Sequence, residues 1–112
     1  VDEVIFAQDL ADAQDHLRKA LAVLPGSGRC VALFTGTENS PHGTRAVGVP
    51  SSWPVALRGE GLADVVVVEA DGSRKLPFKA PRAPQEPVLP TGVAAVVAVA
   101  GVDAVGLPLI EE

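Results

Sequence analysis

Apolar and polar positions change their spacing several times along this chain, and each change predicts an element. Val4-Ile5-Phe6-Ala7 is a short continuous apolar run, which predicts a strand near residues 3–7. Leu10, Ala13, Leu17, Ala20, Leu21 and Leu24 then recur at helical spacing, predicting a helix from about 9 to 24 with one face against a sheet. Asp9 suits its N-cap, Asp12 three residues on suits a capping box, and Pro25-Gly26 ends it. Asp15, one turn before Lys19, predicts an exposed pair, and His16 on the polar side predicts a solvated residue near Asp12. Cys30-Val31-Ala32-Leu33-Phe34 predicts a second buried strand near 30–34, with Cys30 inside it as a small hydrophobe.

The pattern is looser further on. Thr35 to His42 reads as a polar loop, and Ser51-Ser52-Trp53-Pro54 as the capped start of a short helix. Trp53 should pack that helix onto the domain, and Gly59-Glu60-Gly61 should close it. Val65 to Val68 is an unbroken β-branched run, predicting a strand over 64–70 buried on both faces. Residues 94–100, built of valine and alanine, predict another. Between them the prolines at 77, 81, 84, 87 and 90 exclude a helix or a central strand. Strand, helix, strand, short helix, strand, long loop, strand is the order of an α/β domain. The expected fold is a single domain over residues 1–112, with a mainly parallel sheet, flanking helices and right-handed crossovers.

Composition narrows the function classes. A net charge of −5 opposes general nucleic-acid binding, which needs clustered Lys and Arg. One cysteine makes no internal disulfide, so a reducing cytoplasm is the expected compartment. The apolar run from Val93 to Val102 is about half the length of a membrane span. Eleven glycines and ten prolines promise many turns and few long elements. His16 and His42 have no Cys or His neighbours at ligand spacing, which argues against a zinc site.

Candidate chemistry gathers after the valine run. On a strand, Glu69 and Asp71 would share one face, about 6–7 Å apart. Acids at the carboxyl end of a strand stand where open α/β sheets place ligands and metals. Beyond Gly72 come Arg74, Lys75 and Lys79, with no acid until Glu86, so a metal ion and an anionic group would both find partners. Plainer readings stand beside this one. Asp71 would cap an Asp-Gly turn, Glu69 would pair with Arg74 or Lys79, and the basic side chains would be solvated. Gly101-Val102-Asp103 leaves the last strand much as Asp71-Gly72 leaves the other, which would bring Asp103 to the same edge.

Several of these stretches form an ordered set: Glu69-Ala70-Asp71-Gly72-Ser73-Arg74, Pro77-Phe78-Lys79-Ala80-Pro81, Glu86-Pro87-Val88-Leu89-Pro90 and Gly101-Val102-Asp103-Ala104-Val105-Gly106. The set resembles the YqeC family, with its E-A-D-G-[AS]-R, P-[LF]-K-A-P, E-P-V-[IL]-P and G-[LV]-D-A-[LV]-G motifs. The resemblance implies an accessory protein of selenium-dependent molybdenum hydroxylases, built on part of a P-loop-like nucleotide-binding domain. It also implies a nucleotide or other phosphoryl ligand held with Mg²⁺. Glu69 and Asp71 would bind the metal or orient a nucleophile, and Gly72, Arg74, Lys75, Lys79, Glu86 and Asp103 would line the ligand.

The family's pattern opens on a phosphate loop close to G-x-G-G-K-T-T, and this sequence has no G-x-x-x-x-G-K-[ST]. The resemblance therefore implies that the chain would correspond to the central portion of the family's larger domain, an expectation that argues against nucleotide hydrolysis by this chain alone. A sheet lacking that first unit would expose an edge, so association with itself or with a partner is expected. The alternative function is a non-catalytic module that docks to a hydroxylase or to its cofactor-loading machinery.

Overall fold

The computed structural model describes residues 1–23, 28–41, 43–73, 76–80 and 87–108. The chain divides into two compact units, Val1–Val66 and Val67–Glu112.

In the first unit, β1 (Glu3–Phe6) runs parallel to β2 (Val31–Phe34), with Ile5 opposite Leu33 and Phe6 opposite Phe34. Parallel strands need a long crossover, and α1 (Leu10–Val23) supplies it. The helix begins where the sequence places its cap: the Asp12 amide donates to Asp9 Oδ1 at 2.9 Å. The Asp12 carboxylate reaches back, as in a capping box, but takes the Gln8 amide at 3.0 Å. Ala13, Leu17 and Ala20 bury one face of α1. Arg29 fastens the crossover, its guanidinium donating to the Ala20 carbonyl at 2.6 Å and to Glu3 at 3.0 Å.

Two further elements complete this unit. β3 (Gly36–Ser40), which lies inside the expected polar loop from Thr35 to His42, forms an antiparallel hairpin with β4 (Gly43–Val47). Its strands are almost wholly polar, so period-2 apolar alternation gave no warning. It is held by a Glu38–Arg45 ion pair across the strands and by Gly43, whose φ of 111° favours glycine. α2 (Trp53–Gly59) carries Pro54 in its first turn. Ser52 occupies the cap position but makes no side-chain cap bond, because its backbone is already helical. At the other end the Gly61 amide donates to Arg58 and the Leu62 amide to Leu57, at 3.0 and 3.1 Å. With Gly61 at φ 69°, this is a Schellman closure whose hydrophobic contact is Leu57 with Leu62.

The core gathers Ile5, Ala7, Ala13, Leu17, Ala20, Trp53, Leu57 and Leu62, all from this unit, and Trp53 packs as its position in the sequence predicts. Two local expectations change and one holds. Cys30 is exposed and precedes β2, its amide and carbonyl being taken by Asp2. Asp15 pairs with Arg18 at 3.1 Å, one residue before Lys19, and Arg18 also reaches Glu60 at 2.7 Å. His16 does meet Asp12, at 3.0 Å on the surface.

The expected mainly parallel, P-loop-like α/β sheet is not what forms. The described residues make two separate two-stranded sheets, one parallel and one antiparallel, with two α-helices. Neither 64–70 nor 94–100 is a strand, and among the described residues 64–69 and 93–100 make no backbone hydrogen bond. The valines that were to fill a sheet centre face solvent: Val67 is 91 % exposed, Val97 80 % and Val99 86 %. A buried parallel sheet needs paired neighbours and helices over both faces. In the second unit the prolines leave no covering helix among the described residues, and a 3-10 turn, Val102–Ala104, is the regular element there.

Candidate functional site

The second unit is laced together by a few bonds between residues distant in sequence. Proline donates no backbone hydrogen bond, so in this stretch the remaining amides and the charged side chains carry the tertiary contacts. The Val88 amide donates to the Ala70 carbonyl at 2.9 Å. The Gly101 amide donates to the Pro77 carbonyl at 2.6 Å. Lys79 Nζ donates to Asp71 Oδ1, also at 2.6 Å. These three contacts join four stretches of sequence: that of Ala70 and Asp71, that of Pro77 and Lys79, that of Val88, and that of Gly101.

The Asp71–Lys79 pair is the chemical centre of this arrangement. Its side chains are 21 % and 12 % exposed, well below the other carboxylate–cation pairs among the described residues except that of Arg29. A pair so shielded from water is screened far less than one on the surface. The expected Asp-Gly turn cap is thus replaced by a long-range ion pair, and Lys79 goes to Asp71 rather than to Glu69. Glu69 is exposed, and among the described residues its carboxylate has no hydrogen-bond or ion-pair partner. Its shared face with Asp71 required a strand that does not form.

Asp103 stands on the 3-10 turn, exposed, its carboxylate likewise without a hydrogen-bond or ion-pair partner among the described residues. Gly72 is exposed, and a Cβ added there would meet open space. Arg74, Lys75 and Glu86 lie outside the described residues. The structure therefore joins Asp71 to Lys79 directly and ties the Lys79 stretch to the turn bearing Asp103. Sequence reasoning missed Gly101 and Pro77 as partners. The signal available was that both fall inside the ordered motifs.

As a donor set, the described residues of the unit offer one shielded ammonium, Lys79, and the carboxylates of Glu69, Asp71 and Asp103. No group of three or more His, Cys, Asp or Glu gathers as a metal-ion cluster among the described residues. Mg²⁺ commonly needs only one or two carboxylates when phosphate oxygens and waters complete its shell. A divalent cation held by these carboxylates would need further oxygens, such as those of a phosphoryl ligand and water, to complete its shell.

The four laced stretches are the motif stretches quoted above, and a comparison over the whole chain agrees with them. The sequence model of the family described as YqeC protein matches residues 5–112. The chain belongs to the YqeC family. The match begins within β1 and runs through α1, so it takes in the first unit as well as the motif-bearing second. Comparison with curated proteins and with solved structures returned no match. Within this YqeC chain, three tertiary contacts connect the family motifs to one another. Among the described residues no helix is long and apolar enough to cross a membrane.

Proposed function

We propose that this YqeC protein is an accessory factor in the maturation of selenium-dependent molybdenum hydroxylases, and that it contributes by binding a nucleotide or another phosphoryl ligand with Mg²⁺. The observation that carries the reading is the shielded Lys79–Asp71 pair inside the laced motifs. A phosphoryl oxygen accepts the same charge-assisted hydrogen bond from Lys79 that Asp71 now accepts. The ligand's phosphates would exchange with the Asp71 carboxylate, leaving Asp71, with Glu69 or Asp103, to share Mg²⁺. Mg²⁺, when bound, would neutralise phosphate charge; the chain's own part is to place an ammonium and carboxylates around that charge.

Titration of ATP by equilibrium binding, with and without Mg²⁺, tests this. Saturable Mg²⁺-dependent binding that Lys79→Met weakens about tenfold supports it. Binding absent in both conditions overturns it.

A second reading has its own observation. The solvent-facing valines at 67, 97, 99 and 102 of the second unit each expose apolar surface with no cover among the described residues. Surface of that kind suits docking to a hydroxylase, to its cofactor-loading machinery or to a second copy. Co-sedimentation with a purified molybdenum hydroxylase, unaffected by Lys79→Met but lost in Val97→Lys, would favour this module over the ligand-binding factor.

A further inference from the structure

Gly101 has an ordinary backbone, φ −68° and ψ 138°, which any residue adopts. Its need for hydrogen as a side chain lies in what surrounds it. A Cβ built there would collide with Asp103 Oδ1 and would stand 3.1 Å from Pro77 Cβ and 3.2 Å from Pro77 Cα. Among the glycines measured in this way, Gly101 alone has such neighbours; the others face open space. The Gly101 amide meanwhile donates to the Pro77 carbonyl at 2.6 Å, so the close approach is hydrogen-bonded as well as tight. Pro77 lies two residues before Lys79, and one Asp103 carboxylate oxygen occupies the space where a side chain on residue 101 would begin.

We propose that Gly101 is a positioning residue, whose missing side chain seats the Asp103 carboxylate against the Pro77–Lys79 segment. The inference rests on the ligand-binding reading above for its purpose, but not for its geometry. Alanine at 101 must displace the Asp103 carboxylate, whereas Pro77, at 3.1 and 3.2 Å, is a tight contact that need yield only slightly. Pro77 is backbone and ring, held by its own hydrogen bond, whereas the end of the Asp103 side chain swings on two rotatable bonds. Asp103 therefore gives way, and its carboxylate leaves the segment that carries Lys79. Gly101 contributes no group to a ligand; it decides where a carboxylate stands.

The test uses the full chain with four versions: wild type, Gly101→Ala, Asp103→Ala and the double variant. The side-chain carboxyl ¹³C resonance of Asp103 should shift in Gly101→Ala while the Asp71 resonance stays in place. An unmoved Asp103 resonance overturns the inference, whatever the chain binds. With ATP and Mg²⁺ as the probe, Gly101→Ala should weaken binding about as much as Asp103→Ala. In the Asp103→Ala background it should cost less than twofold more. A cost that persists undiminished there would mark a merely structural glycine and overturn the inference. If wild type binds no ATP while the Asp103 resonance still moves, the ligand reading falls and the positioning role stands. Should Gly101→Ala fail to fold, amide exchange in the wild type decides: slow exchange at Gly101 supports the tight contact with Pro77, and exchange at the rate of an open loop refutes it.

Discussion

The two units of this chain use the same aliphatic alphabet for different ends. In Val1–Val66, apolar residues recur at helical or strand spacing in β1, α1 and α2, and the core takes one face from each of these, with Val31 and Leu33 of β2 packed against it. In Val67–Glu112, apolar residues come in blocks, Pro90 is the one buried residue among those described, and order rests on hydrogen bonds and an ion pair. Periodicity creates a face that another element can cover; a block of valines creates surface on all sides at once. Burial therefore follows spacing more than composition. The unit that builds no core of its own among the described residues is the one that gathers the motif chemistry.

The largest effect should come from the core itself. Trp53→Ala removes the largest buried side chain of the first unit, 6 % exposed, and is expected to cost about 3–5 kcal/mol in denaturant unfolding. Amide exchange at Val88 and Gly101 should change little if the second unit is held by its own bonds. Equal loss of protection in both units would break the contrast.

Lys79→Met comes next. It leaves a carboxylate only 21 % exposed without its ammonium partner, and a loss of about 1–3 kcal/mol is expected. A double-mutant cycle with Asp71→Asn should show most of that loss as coupling between the two positions. Additive effects would mean that the pair is incidental to the second unit.

Asp9→Ala should then cost about 1 kcal/mol, by removing the oxygen that takes the Asp12 amide at 2.9 Å. Helix content near 222 nm should melt earlier in temperature, without a change in Lys79-dependent binding. The smallest effect is expected at Val97, where 80 % exposure leaves little packing to lose. Val97→Thr should stay within about 0.5 kcal/mol of wild type. A loss of several kcal/mol would show that the valine is covered in solution.

Much of the first unit was legible locally. The α1 stripe, its Asp9 cap and the glycine closure after α2 each depend on residues within a turn or two, so their signals are complete in a short window. Lys79 and Asp71 fall in neighbouring motifs, so their proximity was legible before the ion pair that joins them was known.

What the sequence alone determined is where regular structure begins and ends around α1 and α2, which strands flank the first crossover, and which residues hold charge near the proline-rich stretch. Only the tertiary structure decided that the hairpin at 36–47 forms, that Cys30 is exposed, that Lys79 prefers Asp71 to Glu69, and that Gly101 closes on Pro77. It also decided that the runs at 64–70 and 94–100 stay outside any sheet. The reason is the same in each case. A strand's backbone is satisfied by another strand, and a side chain's burial by another surface, and both partners lie far along the chain. β-branched residues favour a conformation locally, but they do not choose their neighbour.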